Sequence, residues 1–141
     1  MKARVKWVEQ MSFIGETESG HAVVIDSAPE VGGRNLGARP MEMVLLGLGS
    51  CSVVDLLLIL KKSRQQVVDC FVEIDAERAD DIPAVFTKIH LHYVIKGTGL
   101  AAKQVQRAVS LAAEKYCSVS AMLEKTVAIS HDHEIIEQQS G

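Results

Sequence analysis

Three cysteines, Cys51, Cys70 and Cys117, offer the most chemistry in this sequence. A thiolate is a nucleophile and a reductant, and two thiols that meet can close a disulfide. Cys51 has Gly47 one turn before it and Asp55 one turn after, so a helix would put all three on one face. Glycine inside a helix costs about 1 kcal/mol relative to alanine. Gly47 and Gly49 therefore point to another element pressing close. Cys117 has Ala113 and Ala121 four residues to either side. If one helix runs through it, these three form a narrow stripe of small residues. Such stripes let backbones approach within the roughly 7 Å Cα separation that a disulfide needs. The spacing thus permits a Cys51–Cys117 pair. The competing reading is that both are small buried hydrophobes, the usual place of a free cysteine. Cys70, between Asp69 and Phe71, reads as packing.

Acids and histidines supply the remaining candidates. Asp55 lies within an apolar stretch, where an aspartate needs water or a hydrogen-bond partner. Glu42 suits a helix N-terminus, and Glu114 suits solvent. His90/His92 and His131/His133 are two His-x-His pairs. On a strand each pair shares a face and is suited to a metal, but no CxxC or HExxH accompanies them. A solvated strand face is the expectation, with no metal and no cofactor. Phosphate-loop and GxSxG signatures are absent.

The elements that must position these residues follow from pattern. Ala3–Glu9, Ser12–Glu16 and residues 21–27 read as short strands, with Val5, Trp7 and Phe13 alternating with polar neighbours. Residues 28–40 hold three glycines and two prolines and read as a long loop. Pro40 pre-sets a helix that runs from Met41 to about Ser63 and is closed by Lys61, Lys62 and Arg64. It is apolar on nearly every side, which predicts burial on both sides and hence a dimer. Residues 68–78 and 85–96 form a hairpin across Asp80-Asp81-Ile82-Pro83. Residues 100–115 and 119–125 read as helical, 127–136 as a last strand, and 138–141 as a tail. The order βββ-α-ββ-α-α-β predicts an α+β fold with mainly antiparallel sheets.

The 141 residues suit one domain, and 48% hydrophobic with 23% charged residues is ordinary globular usage. A net charge of −3, from 15 basic and 18 acidic residues, argues against a nucleic-acid partner. The charged start MKARVKWVEQ has no apolar leader, and the run from Val53 to Leu60 is short for a bilayer span. A cytoplasmic protein without membrane contact, its thiols kept reduced, is the expectation.

The segments Pro40-Met41-Glu42-Met43, Gly49-Ser50-Cys51-Ser52 and Ala113-Glu114-Lys115-Tyr116-Cys117-Ser118 resemble the OsmC/Ohr family. These are the osmotically inducible protein C and organic hydroperoxide resistance proteins. Here Cys51 follows Pro40 by eleven residues and precedes Cys117 by 66. With its ARVKWVE opening the chain looks closest to the YhfA-type branch. The resemblance implies a single OsmC-like domain over 1–141, with two mainly antiparallel sheets around long central helices in an intertwined homodimer. It implies thiol-dependent reduction of organic hydroperoxides without a cofactor. Cys51 would be the peroxidatic residue, Cys117 the resolving one, and an external dithiol the reductant. The alternative is an OsmC-like binding protein that holds a small apolar or electrophilic ligand in the dimer pocket.

Two departures bear on that expectation. The family's hydroperoxide resistance proteins place a glutamate directly after the proline, where it orients a hairpin arginine toward the thiol. Met41 stands there, and Glu42 is one residue on, about 100° around the helix. The hairpin reads Gln10-Met11-Ser12-Phe13 and has no arginine. Arg34 and Arg39 are the substitutes the loop offers. Asp55 would work against them by repelling a thiolate at Cys51.

Overall fold

A computed structural model describes residues 1–139, so the end of the expected tail, Ser140 and Gly141, lies outside the described residues. The chain forms two compact units, Met1–Leu46 and the remainder from Gly47.

In the first unit, strands β1 (Ala3–Glu9), β2 (Ser12–Thr17) and β3 (Ala22–Ile25) make an antiparallel sheet in chain order. Trp7 pairs with Phe13, and Phe13 with Ile25. The alternation in β1 predicts one covered face, yet every residue of that strand is exposed, Val5 at 66% and Trp7 at 62%. A three-stranded sheet has nothing of its own to lay over β1.

The long loop after β3 is organised by a residue the sequence pattern did not single out. Asp26 is fully buried. Its carboxylate accepts hydrogen bonds from Ser12 Oγ at 2.9 Å and from the backbone N–H groups of Ser27 (2.7 Å), Leu36 (3.1 Å) and Arg34 (3.4 Å). Burial alone would raise its pKa, but these donors outweigh it and hold the carboxyl below its ordinary value. The loop's own backbone is thereby tied to the sheet. The Arg34 guanidinium is held by Glu9 at 2.8 Å.

Helix α1 (Pro40–Lys62) opens on a capping glutamate. The Arg39 backbone N–H donates to Glu42 Oε1 at 2.8 Å, the backward half of a capping box. Pro40 supplies the preset φ of the first turn. The helix reaches 23 residues because no residue inside it breaks the ladder until Ser63, whose hydroxyl turns back on the Ile59 and Leu60 carbonyls. By length and composition alone it is long and apolar enough to cross a membrane. The Val53–Leu60 run understates that reach.

The second unit holds strands β4 (Gln66–Arg78), β5 (Phe86–Thr98) and β6 (Ala128–Glu137) in that order. The β4–β5 hairpin is antiparallel, while β6 lies parallel to β5 after a helical crossover. That crossover is α2 (Ala102–Leu111), a π-helical turn (Ala112–Tyr116) and α3 (Ser118–Leu123). Leu48, Leu56 and Leu60 of α1 are buried with Leu91, Tyr93 and Ile95 of β5 and Val105 and Val109 of α2. With Ser52 these α1 residues fall every fourth position, so one stripe of the helix makes the core. Fully burying a leucine contributes roughly 1.5–3 kcal/mol. Other apolar positions of α1 stay exposed, including Val54 at 56% and Leu57 at 40%.

Candidate functional site

Gly49 shows how α1 reaches the sheet. A Cβ there would stand 2.7 Å from Ile74 Cδ1 and 3.2 Å from Val72 Cγ1, so β4 packs directly on the helix backbone. Gly47 does not share this role. Nothing lies within 4 Å of where its Cβ would be, because it faces outward. Close packing at Gly49 seats Leu48 and Ser52 in the core and leaves Cys51 half-buried at the edge of it.

Cys117 arrives by a different route. No single helix runs through it, in keeping with the separate helical segments read at 100–115 and 119–125. The Cys117 N–H donates to Ala112 O at 3.3 Å, five residues back, and Cys117 itself is extended at φ −70°, ψ 113°. The ladder widens into a π turn and stops, as such turns often do near functional groups. Ala113 and Cys117 are buried but Ala121 is exposed, so the stripe of small residues is broken. Ser120 takes the inner position and donates to Ala113 O at 3.1 Å. Cys117 then caps α3, its sulfur accepting from the Ser120 N–H at 3.4 Å.

The two thiols meet. Cys117 is only 2% exposed and its sulfur lies 3.9 Å from the Leu48 carbonyl. Burial pushes the Cys117 thiol up to about 11, and Cys51 adds to this both as a hydrogen-bond neighbour and as a charge. The α3 backbone N–H groups pull the other way without prevailing. The structure thus brings together Cys51 and Cys117 as neighbouring free thiols. Cys70 stands apart on β4, half-buried, and is likewise raised to about 11 by burial and by Asp69.

Sequence patterning missed Tyr93. It is fully buried on β5, and its hydroxyl lies beside Ser52 with the charges of Cys117 and Cys70 acting on it. Among the described residues the hydroxyl makes no hydrogen bond of ordinary length and angle. Ser52 cannot donate to it, since its Oγ–H goes to Gly49 O at 3.1 Å. Burial, above all, lifts the phenol beyond its usual range. Alternation on β5 predicts an inward Tyr93, but only the register shows which hydroxyl or thiol it meets.

The remaining candidates are placed as follows. Glu42 is the α1 cap and Arg34 is paired with Glu9, while the Arg39 side chain is exposed. Asp55 is half-buried, with no ion pair or side-chain hydrogen bond among the described residues. The two His-x-His pairs do not converge on one site. His90 Nε2 and His92 Nδ1 both meet Asp132 Oδ1, at 2.9 and 2.7 Å, on one face of the sheet. His92 is raised by that hydrogen bond against the pull of burial. His131 pairs across from Leu91 on the opposite face, edge-on to Tyr93, with its Nε2 3.1 Å from Glu114. Among the described residues no group of three histidine, cysteine or carboxylate side chains is arranged to hold a metal ion.

Comparison with known proteins places this geometry. The family model described as OsmC-like protein matches residues 32–132. Protein YhfA of Escherichia coli is 48% identical over 139 residues, covering 96% of this chain and 98% of the relative. A crystal structure of a hypothetical protein from Aquifex aeolicus is 30% identical, with a TM-score of 0.85 over 98% of this chain and 97% of that one. The organic hydroperoxide resistance protein OhrB of Bacillus subtilis has the same fold at 19% identity, with a TM-score of 0.64 over 95% and 98% of the two chains.

Proposed function

We propose that this chain, which belongs to the OsmC-like protein family, reduces organic hydroperoxides with its own two thiols. One observation carries the reading: a half-buried Cys51 beside a buried Cys117, brought together by a close helix–strand contact and a π turn. The Cys51 thiolate attacks the outer peroxide oxygen. The O–O bond breaks, the alcohol leaves with a proton, and Cys51 becomes a sulfenic acid. Cys117 then gives its sulfur to Cys51 and its proton to the departing hydroxyl, so a disulfide and water form. An external dithiol reduces the disulfide by exchange. Neither step calls for a cofactor.

The half-buried Cys51 suits the residue that meets substrate, and the enclosed Cys117 suits the one that meets only Cys51. The working unit in this reading is a cytoplasmic homodimer of one OsmC-like domain per chain. Its second copy covers the exposed Val54 and Leu57 side of α1.

A second reading draws on the Cys117 thiol itself. Raised to about 11, it is almost wholly protonated at neutral pH, which slows any resolving step. A binding protein whose thiols turn over little has this property. Turnover of cumene hydroperoxide with dithiothreitol separates the two. Reduction by the wild-type protein, lost at least 10³-fold in Cys51→Ser, is the expected result. In Cys117→Ser a dimedone-reactive sulfenic acid accumulates on Cys51. A wild-type protein that reduces no faster than Cys51→Ser leaves the binding reading in place.

A further inference from the structure

The first His-x-His pair belongs to a cluster that the thiol chemistry does not use. It lies on the face of the second sheet opposite to Tyr93, since side chains alternate along β5. Strand register sets the rows. Asp75, His90 and Ser130 pair straight across the three strands, and Glu77, Lys88 and Ala128 form the next row. His90 stands between two partners. Its Nδ1 is 2.7 Å from Ser130 Oγ, and its Nε2 is 2.9 Å from Asp132 Oδ1. A carboxylate only accepts, so the neutral ring carries its proton on Nε2 and donates it to Asp132. Nδ1 keeps a lone pair and accepts from the Ser130 hydroxyl. His92 Nδ1 reaches the same Asp132 oxygen at 2.7 Å, and together the two histidines hold the Asp132 carboxyl below its ordinary value. Hydroxyl, base and orienting carboxylate thus stand in the order that activates a serine, a constellation recognised by geometry and not by sequence position.

A surface network needs no more than these bonds, but this one borders a cavity. About 410 Å³ opens over Ser130 and His90, lined also by Asp75, Glu77, Lys88 and Ala128. The volume lies in the small-molecule range. Ala128 carries only a methyl group, which leaves the space beside Ser130 open. Lys88 brings a cation to the cavity, while Asp75 and Glu77 disfavour an anionic guest. We propose that Ser130 is the nucleophile of a second, hydrolytic site for uncharged short-chain carboxylic esters, with His90 as its base and Asp132 orienting His90. Ser130 Oγ bonds to the carbonyl carbon as its proton passes to His90 Nδ1. The bond to the alcohol oxygen breaks, and the alcohol leaves with that proton. Water, deprotonated by His90 in the same way, releases the acid and restores the serine. Lys88 supplies positive charge for the carbonyl oxygen as it becomes an oxyanion. The site shares no residue with the thiol pair, so it does not depend on the peroxide reading.

A fluorophosphonate probe on the full-length protein tests it. The serine oxygen displaces fluoride at phosphorus, the proton passes to His90, and peptide mapping locates the adduct. Labelling at Ser130 is expected, about a hundredfold slower in His90→Ala and about tenfold slower in Asp132→Asn, which disturbs the tautomer and leaves the base. Thermal midpoints of these variants should stay at the wild-type value, because the side chains lie at the surface. In Cys51→Ser, which lacks the outward thiol, hydrolysis of p-nitrophenyl acetate is expected to fall at least about tenfold when Ser130→Ala is added. No adduct at Ser130, labelling that survives His90→Ala, or hydrolysis unaltered by Ser130→Ala overturns the proposal. Turnover of cumene hydroperoxide by Ser130→Ala is expected to match wild type. A loss there would tie Ser130 to the thiol chemistry and overturn the second site.

Discussion

Asp26 and Tyr93 are both sealed from solvent, one in each compact unit, and they are treated in opposite ways. Asp26 collects four donors, and its charge fixes the loop between β3 and α1. The Tyr93 hydroxyl collects none and faces a serine already committed and two thiols. A buried polar group that is fully paired makes structure. One left unpaired costs about 1–3 kcal/mol and persists where the site serves another purpose. Cys117 sits closer to the second kind of surroundings, where the α3 N–H groups do not outweigh burial.

That contrast predicts its largest effect at Cys117. With its pKa at about 11, little of this thiol is ionised at pH 8. Iodoacetamide is expected to modify it at least about a hundredfold more slowly than a free thiol, and the rate should climb until pH nears 11. Peptide mapping of a time course reads this directly. Modification of Cys117 at the pace of a free thiol would mean that its surroundings do compensate, and the contrast with Asp26 would fail.

Asp26→Asn attacks the other side of the comparison. The amide keeps the shape but turns a donor toward backbone N–H groups. The thermal midpoint at pH 7 is expected to drop by more than about 5 °C. The pH dependence carries a sign. The folded-state pKa of Asp26 lies below its unfolded value near 3.8, so its contribution is complete above that value and is lost as pH falls below it. Wild type should therefore lose part of its margin over the variant below about pH 4. A margin that is flat down to pH 2.5 would show that the charge of Asp26 contributes nothing.

These two regions also mark what could be read from sequence. The βββ-α-ββ-α-α-β order, the proline-opened helix and the Cys51–Cys117 juxtaposition rest on periodicity, on a fixed φ and on a resemblance, and each of these signals is carried by short local motifs. Asp26 was invisible because three of its four donors are backbone groups, whose placement depends on the loop path and not on residue type. Tyr93 was visible as a core residue but not as a neighbour of the cysteines, since register across β4, β5 and α1 decides that. The break at Cys117 misled the small-residue argument. A π turn and a continuous α-helix present the same alanines, and only the i to i−5 bond to Ala112 distinguishes them. Gly47 misled for a related reason: glycine spacing signals a close approach but not on which side.

The smallest effect belongs to Tyr93→Phe, and it is the one with the least expected direction. Removing a buried hydroxyl normally destabilises, because a partner is left behind. Here little is left behind, since Ser52 keeps its bond to the Gly49 carbonyl and loses at most a neighbour at its oxygen, and the ring keeps its edge contact with His131. What disappears is an unsatisfied oxygen in an apolar setting, while the aromatic packing of a wholly buried side chain is retained. The thermal midpoint is therefore expected to hold or to rise by about 1–3 °C, against the usual sign for a core tyrosine. Differential scanning calorimetry at pH 7 resolves a shift of that size. A fall of more than about 3 °C would show that the hydroxyl is paired in solution, and would return Tyr93 to the same class as Asp26.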